Sequence, residues 1–169
     1  IFTQVPILIF YGFLVYILCL TENIFTVAAI RTIALLRAAR GVGFVLTLLT
    51  SFLLFNTILS LRLSFWAQGL LVAAVGFFIF WQGLWQVDLS TTFSRRLIIF
   101  STVFSLLLLE IAISLSFWPV SVVVGSLFLT VFVYILLGLG QAKLEARFFP
   151  QTVREYLTIA VFVLLAMFF

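Results

Sequence analysis

The sequence predicts an all-α, polytopic membrane protein in which six transmembrane helices form one domain over residues 1–169. Three observations lead to this prediction. Hydrophobic residues make up 66% of the chain and charged residues only 8%, whereas soluble globular proteins are roughly half apolar and about 25% charged. The apolar residues lie in runs of about 20, the length at which a helix crosses a bilayer. Charged and turn-forming residues separate these runs.

The first predicted span, residues 1–20, is an apolar run that ends at the polar sequence Thr21-Glu22-Asn23. The segment that follows, residues 24–40, carries three arginines among apolar residues and has no single polar face. We therefore expect this segment to be an interfacial helix on the cytoplasmic side or a cytoplasmic extension of the second span.

The second and third predicted spans, residues 42–61 and 63–85, are separated only by Arg62, so a tight turn connects them. A polar loop leads from the third span to two arginines. The fourth span, residues 97–117, follows these arginines and carries one carboxylate, Glu110, inside its apolar run.

The corner between the fourth and fifth spans is the sequence Trp118-Pro119. Proline disfavours helix in the residue before it and suits the first turn of the next helix, so we expect the fifth span to cover residues 120–140. A charged loop that ends at Pro150 then precedes the sixth span, residues 153–169.

Lysine and arginine residues predict the orientation of the six spans. The loops after spans one, three and five contain eight of these residues, and the loops after spans two and four contain one. The positive-inside rule places the eight in the cytoplasm and both ends of the sequence outside. The eight are Arg31, Arg37, Arg40, Arg95, Arg96, Lys143, Arg147 and Arg154, and the one is Arg62. We expect the basic loops to lie on anionic lipid headgroups, and we expect no nucleic-acid partner, because the arginines sit at the ends of apolar runs.

Two local features bear on the location of the protein. The Arg154-Glu155-Tyr156 entry to the sixth span and the Trp118-Pro119 corner resemble features of small bacterial membrane proteins. The resemblance implies the bacterial inner membrane as the location, and it implies no function.

The second and fourth spans carry polar residues at matching positions, which predicts an internal repeat. A shift of 54 residues aligns Thr47 with Ser101, Ser51 with Ser105, Asn56 with Glu110, and Ser60 with Ser114. A shift of 52 residues then aligns Ser64-Phe65-Trp66 with Ser116-Phe117-Trp118, Gly69 with Ser121, and Ala73 with Gly125. Both copies start in the cytoplasm and contain two spans, so the repeat is parallel.

Glu110 is the first candidate for chemistry, because a carboxylate inside a membrane span is costly and by default indicates function. At about 100° per residue, Ser114 shares its helix face, whereas the other serines of the span lie on the opposite face. A cation, a proton or a polar headgroup would bind at Glu110. Alternatively, Glu110 bonds to Asn56 or Arg62 and fixes the helix register. The candidate polar site comprises Glu110, Asn56, Ser114, Ser60 and Arg62.

The other special positions of the spans are small residues, which allow helices to pack closely in lipid. Ser101, Ser105 and Ser116 form such a stripe on the fourth span. Because Glu110 occupies the opposite face, the fourth span has two faces that need partners, and we expect it at the centre of the bundle. The predicted helix-packing residues are Thr47, Ser51, Gly69, Ala73, Ser101, Ser105, Ser116, Ser121 and Gly125.

The reactive side chains of the sequence are few. The chain has one cysteine and no histidine, which excludes an internal disulfide and removes the commonest metal ligand and general base. The sequence contains no paired intramembrane carboxylates, catalytic serine pair, zinc-binding pattern or phosphate-binding glycine loop. We therefore expect no enzyme activity, no metal and no cofactor. A lipid-modifying enzyme ranks third among the functions considered, since a lone glutamate supplies little acid–base capacity for such a reaction.

Our leading hypothesis is a non-enzymatic integral membrane subunit or scaffold that packs against other membrane proteins or against a second copy of itself. The small-residue stripes, the short outer loops and the lack of reactive groups favour it. The alternative is a small proton- or cation-coupled transporter or channel, in which Glu110 and Asn56 line a polar path at matched places in the two repeats.

Overall fold

A computed structural model describes residues 4–28, 36–88, 94–145 and 150–168 of the chain. Within these ranges the regular secondary structure consists of six α-helices and no strand. The helices are α1 (Gln4–Ala28), α2 (Leu36–Ser60), α3 (Phe65–Asp88), α4 (Arg95–Ser116), α5 (Val122–Leu144) and α6 (Pro150–Phe168). The described part of the chain is all-helical, which confirms the predicted class of secondary structure.

Five of the described helices, α1 to α5, are long and apolar enough to cross a membrane. This finding is compatible with an integral membrane location for the protein. The sixth predicted span corresponds to α6, which has 19 residues and is not one of these five.

Several helices extend further than predicted at one end of the bundle. α3 continues past residue 85 to Asp88, and α5 continues past residue 140 to Leu144. A helix satisfies its backbone groups internally in water as well as in lipid, so it does not have to end where the apolar run ends. The predicted membrane spans ended at the first polar residues, and these helices continue beyond those residues.

The predicted interfacial segment, residues 24–40, is divided between two long helices. Residues 24–28 are the last residues of α1, and residues 36–40 are the first residues of α2. The intervening residues, 29–35, lie outside the described part of the chain.

A short turn connects α2 to α3. Arg62 in this turn has a φ of 47°, in the left-handed region that residues other than glycine rarely adopt. The N–H of Arg62 donates to the carbonyl of Leu59 at 3.3 Å, which closes the turn at the end of α2. Arg62 thus reverses the chain where the sequence predicted a tight connection.

The Trp118-Pro119 corner connects α4 to α5. The N–H of Trp118 donates to the carbonyl of Leu115 at 3.0 Å, at the end of α4. Ser121 then caps α5, because its Oγ accepts a hydrogen bond from the N–H of Val124 at 3.4 Å.

α5 is the central helix of the bundle. It packs against α2, α3, α4 and α6, whereas α4 packs mainly against α3 and α5. α5 carries no charged residue before Lys143, so each of its faces can pack against apolar side chains. The expectation that the fourth span lies at the centre is therefore wrong. α4 has one buried face, and its other face, which carries Glu110, is exposed.

The hydrophobic core lies where α2, α3, α4 and α5 meet. Its fully buried side chains include Phe55, Val72, Phe80, Leu84, Leu108, Leu129, Val133 and Leu137. α3 and α4 share the most extensive helix contact. Gly69 permits this close approach, because a Cβ at that position would lie 2.8 Å from Cγ1 of Ile113 on α4.

Candidate functional site

Glu110 lies on the exposed face of α4. Among the described residues, no ion pair or hydrogen bond reaches its carboxylate. The hydroxyl of Ser114 donates to the backbone carbonyl of Glu110 at 2.8 Å, so Ser114 is satisfied within its own helix. The carboxylate therefore stands among exposed side chains with no partner inside the described part of the chain.

The structure does not join Glu110 to its expected partners. Asn56 is half-buried on α2, and no described hydrogen bond or ion pair links Glu110 to Asn56 or Arg62. Arg62 is exposed in the α2–α3 turn, where it lines an open cavity of about 680 Å³. Ser60 is exposed on α2, and its hydroxyl donates to the carbonyl of Thr57 at 2.7 Å.

Most of the predicted helix-packing residues lie inside the bundle. The buried ones are Ser51, Gly69, Ser101, Ser105 and Gly125, the half-buried ones are Thr47 and Ala73, and the exposed ones are Ser116 and Ser121. Ser101 and Ser105 of the α4 stripe are thus buried within the chain itself, whereas Ser116 at the end of the stripe is exposed.

The structure gathers further polar residues at one end of the bundle. We call the end at which α1, α3 and α5 finish and α2 and α4 begin the basic end. It carries Arg37, Arg40, Arg95, Arg96 and Lys143.

Arg40 joins three helices at the basic end. Its Nη1 lies 2.9 Å from Oε1 of Glu145, which caps α5, and its Nη2 donates to the carbonyl of Val87 on α3 at 3.3 Å. The Nε of Arg40 is buried and has no hydrogen-bond partner in the part of the chain that the structure describes. Arg40 and Glu145 are separated by 105 positions in the chain, so no local pattern in the sequence indicates this pair.

Two glutamines of the basic end make further contacts between helices. The amide of Gln141 on α5 donates to the carbonyl of Gly83 on α3 at 2.9 Å. The amide of Gln82 on α3 donates to Oε1 of Glu22 on α1 at 2.8 Å. Together with Arg40, these contacts connect α1, α2, α3 and α5.

A cavity of about 90 Å³ lies between α1, α2 and α3 near the basic end. Its polar lining consists of Thr21, Glu22, Thr47, Thr50, Gln82 and Gln86. Sequence reasoning assigned Thr47 to helix packing and missed this cavity. The predicted third span ended at residue 85, which left Gln86 in a loop, whereas α3 continues to Asp88 and carries Gln86 into the bundle.

Of the polar side chains of the cavity that have no partner among the described residues, Gln86 is the most buried. It is only 2% exposed, and no hydrogen bond joins it to another described residue. Gly43 on α2 makes room for its amide, because a Cβ at Gly43 would lie 2.9 Å from Oε1 of Gln86 and 3.2 Å from Cε2 of Phe25. The cavity therefore contains a buried amide whose hydrogen-bonding capacity is unused by the described residues.

Comparison with known proteins gives one match. A family model described as protein of unknown function (DUF5656) matches residues 2–169, which include all six described helices. No curated protein and no solved structure matches the chain.

Proposed function

The chain belongs to the DUF5656 family, a family of unknown function, and from its geometry we propose that it is a non-enzymatic integral membrane subunit. It binds another membrane protein, or a second copy of itself, through the exposed face of α4. In this proposal all six helices span the bacterial inner membrane with both ends outside, and α2–α3 and α4–α5 are parallel repeats. The basic loops lie on anionic headgroups in the cytoplasm.

The single observation that supports the proposal is the exposed carboxylate of Glu110, which has no partner among the described residues. Glu110 lies six residues before the last residue of α4, which places it about 9 Å inside the helix end at 1.5 Å per residue. A charged side chain costs about 2.5–3.5 kcal/mol at the centre of a membrane span. A partner that supplies a cation or a hydrogen-bond donor at the same depth removes part of this cost.

The neighbours of Glu110 suit a helix from another chain. Val103 and Leu107 precede it on the same face and are exposed, and Ser114 follows it. The partner surface is therefore an apolar stripe with one acidic group. We expect the partner helix to present an apolar face with a basic or amide side chain opposite Glu110.

Transport through Glu110 and Asn56 has less support. Glu110 faces outward from α4, and no described contact joins it to Asn56 on α2. A polar path would need both side chains to face one continuous cavity. The subunit proposal needs only the exposed face of α4.

Photocrosslinking in native membranes tests the proposal. Benzoylphenylalanine is incorporated in place of Ser114, on the Glu110 face, and in a matched control in place of Thr158 on α6. Both residues are exposed, and both hydroxyls donate to the carbonyl four residues earlier. We expect a covalent protein adduct from position 114 and none from position 158.

The mass of the adduct identifies the partner. Twice the mass of one chain indicates a second copy, and any other mass indicates a different membrane protein. In either case, Glu110→Leu introduced with the probe at position 114 should reduce the adduct. If position 114 gives no protein adduct, or if Glu110→Leu leaves its yield unchanged, the proposal is wrong.

A further inference from the structure

The cavity between α1, α2 and α3 has the lining of a small cation site. Among the described residues that line it, Glu22 supplies the one carboxylate, and there is no lysine or arginine. We propose that this cavity binds a monovalent alkali cation, held by Glu22 together with the amide of Gln86 and the hydroxyls of Thr47 and Thr50. This site is separate from the partner face of α4, so it goes beyond the subunit function.

The amide of Gln86 has no partner among the described residues and borders the cavity, where water or an ion can bind it. Buried side-chain amides in proteins are nearly always hydrogen-bonded, because an unpaired polar group loses its hydration without compensation. Gln86 is 2% exposed and lines the cavity with no bond to a described residue. The carbonyl oxygen of Gln86 would be a ligand of a cation bound in the cavity, with or without water.

The volume of the cavity suits an ion that keeps some of its water. A cavity needs about 10–15 Å³ to hold one water molecule, and this cavity has about 90 Å³. It is therefore large enough for an alkali cation with a few waters.

The donor atoms select the class of cation. Carboxylate, amide and hydroxyl groups offer hard oxygen ligands, and such ligands suit alkali and alkaline-earth ions better than transition metals. Glu22 supplies the single negative charge among the described lining residues. One carboxylate balances one monovalent charge, whereas calcium sites generally combine several carboxylates.

The remaining contacts of the cavity leave oxygen atoms free to bind a cation. Gln82 donates its amide N–H to Oε1 of Glu22, so its own carbonyl oxygen stays available. Thr47 donates its hydroxyl hydrogen to the carbonyl of Gly43 at 2.8 Å, which leaves the lone pairs of its Oγ1 available. Glu22 is half-buried and Gln82 is exposed, so an ion can enter beside them.

Direct binding to the purified full-length chain tests the site. We expect radioactive sodium or rubidium to bind saturably in a scintillation proximity assay, at about one ion per chain. An excess of unlabelled sodium or potassium should displace it, and choline should not. Absence of saturable binding, or displacement only by calcium or magnesium, would overturn the proposal.

Matched variants locate the binding in this cavity. Gly43→Ala places a methyl group against the Gln86 amide, whereas Gly41→Ala on the same helix meets no atom within 4 Å. We expect Gly43→Ala to weaken cation binding at least tenfold and Gly41→Ala to leave it unchanged. Equal binding by the two variants would overturn the assignment to this cavity.

The carboxylate is tested in the same way. Glu22→Gln should abolish cation binding, and Glu155→Gln, which removes an exposed carboxylate on α6, should not. If Glu22→Gln does not fold, Gln86→Leu serves as the second variant, because it removes a ligand and keeps the charge. Sodium binding at the wild-type level in either folded cavity variant would refute the site.

Discussion

The close approach of α3 to the central helix α5 depends on Gly83, and Gly83→Ala measures that dependence. A Cβ at Gly83 would lie 2.7 Å from Cδ1 and 2.9 Å from Cδ2 of Leu137. Leu137 is 0% exposed in the core, so it cannot turn away without displacing other core residues. Such overpacking costs about 1–3 kcal/mol.

A second glycine of the same helix provides the matched control. A Cβ at Gly76 would lie 3.4 Å from Cδ1 of Leu108 and 3.9 Å from Cε2 of Phe80, which are ordinary contact distances. Replacement of glycine by alanine in a helix interior gains about 1 kcal/mol. We therefore expect Gly76→Ala to raise the free energy of unfolding by up to about 1 kcal/mol. Gly83→Ala should lower it by up to about 2 kcal/mol, because the overpacking outweighs the same gain.

Unfolding in mixed detergent micelles, followed by circular dichroism for both variants and wild type, measures these changes. The comparison between the two variants cancels the helix-propensity gain that they share. A Gly83→Ala variant at least as stable as Gly76→Ala would refute the packing of α3 against α5 as the structure describes it.

Two further predictions concern polar groups of the bundle. Glu145→Gln should lower the free energy of unfolding, because it removes the carboxylate that pairs with Arg40. The expected loss is about 1–3 kcal/mol, between the values for exposed and for buried ion pairs. A double-mutant cycle with Arg40→Gln should give a coupling energy that differs from zero, and additive effects would contradict the pair. Ser101→Ala should leave the melting temperature unchanged or raise it, since it removes a buried hydroxyl that has no partner among the described residues. Ser51→Ala is the control, because the hydroxyl of Ser51 donates to the carbonyl of Leu48 at 2.8 Å. A fall in melting temperature for Ser101→Ala alone would show that the Ser101 hydroxyl is paired.

Composition and the positions of charged residues predicted where the helices lie better than they predicted which helices pack together. Interrupted apolar runs of about 20 residues indicate where helices lie, and they located the apolar parts of α2 to α5. The central place of α5 could not be predicted, because side chains that face lipid are as apolar as those that face the core. Hydropathy therefore carries little information about which helix is surrounded by the others.

The candidate sites show the same limit. Helical periodicity put Glu110 opposite Ser101 and Ser105, and in the structure these two serines are buried while Glu110 is exposed. Periodicity says nothing about which residue of another helix lies nearby, so the expected bonds to Asn56 and Arg62 had no geometric basis. The cavity near Gln86 was missed because a polar residue was taken as the end of a helix that continues beyond it.

Native mass spectrometry of the chain released from membranes in mild detergent tests the role of the α4 face most directly. We expect the wild-type chain in a complex with a second membrane protein chain, and we expect Glu110→Leu to appear as a single chain. Glu155→Gln should retain the complex, because it removes an exposed carboxylate on a different helix. A wild-type chain that is released only as a monomer, or a Glu110→Leu variant that retains the complex, would contradict the proposed function.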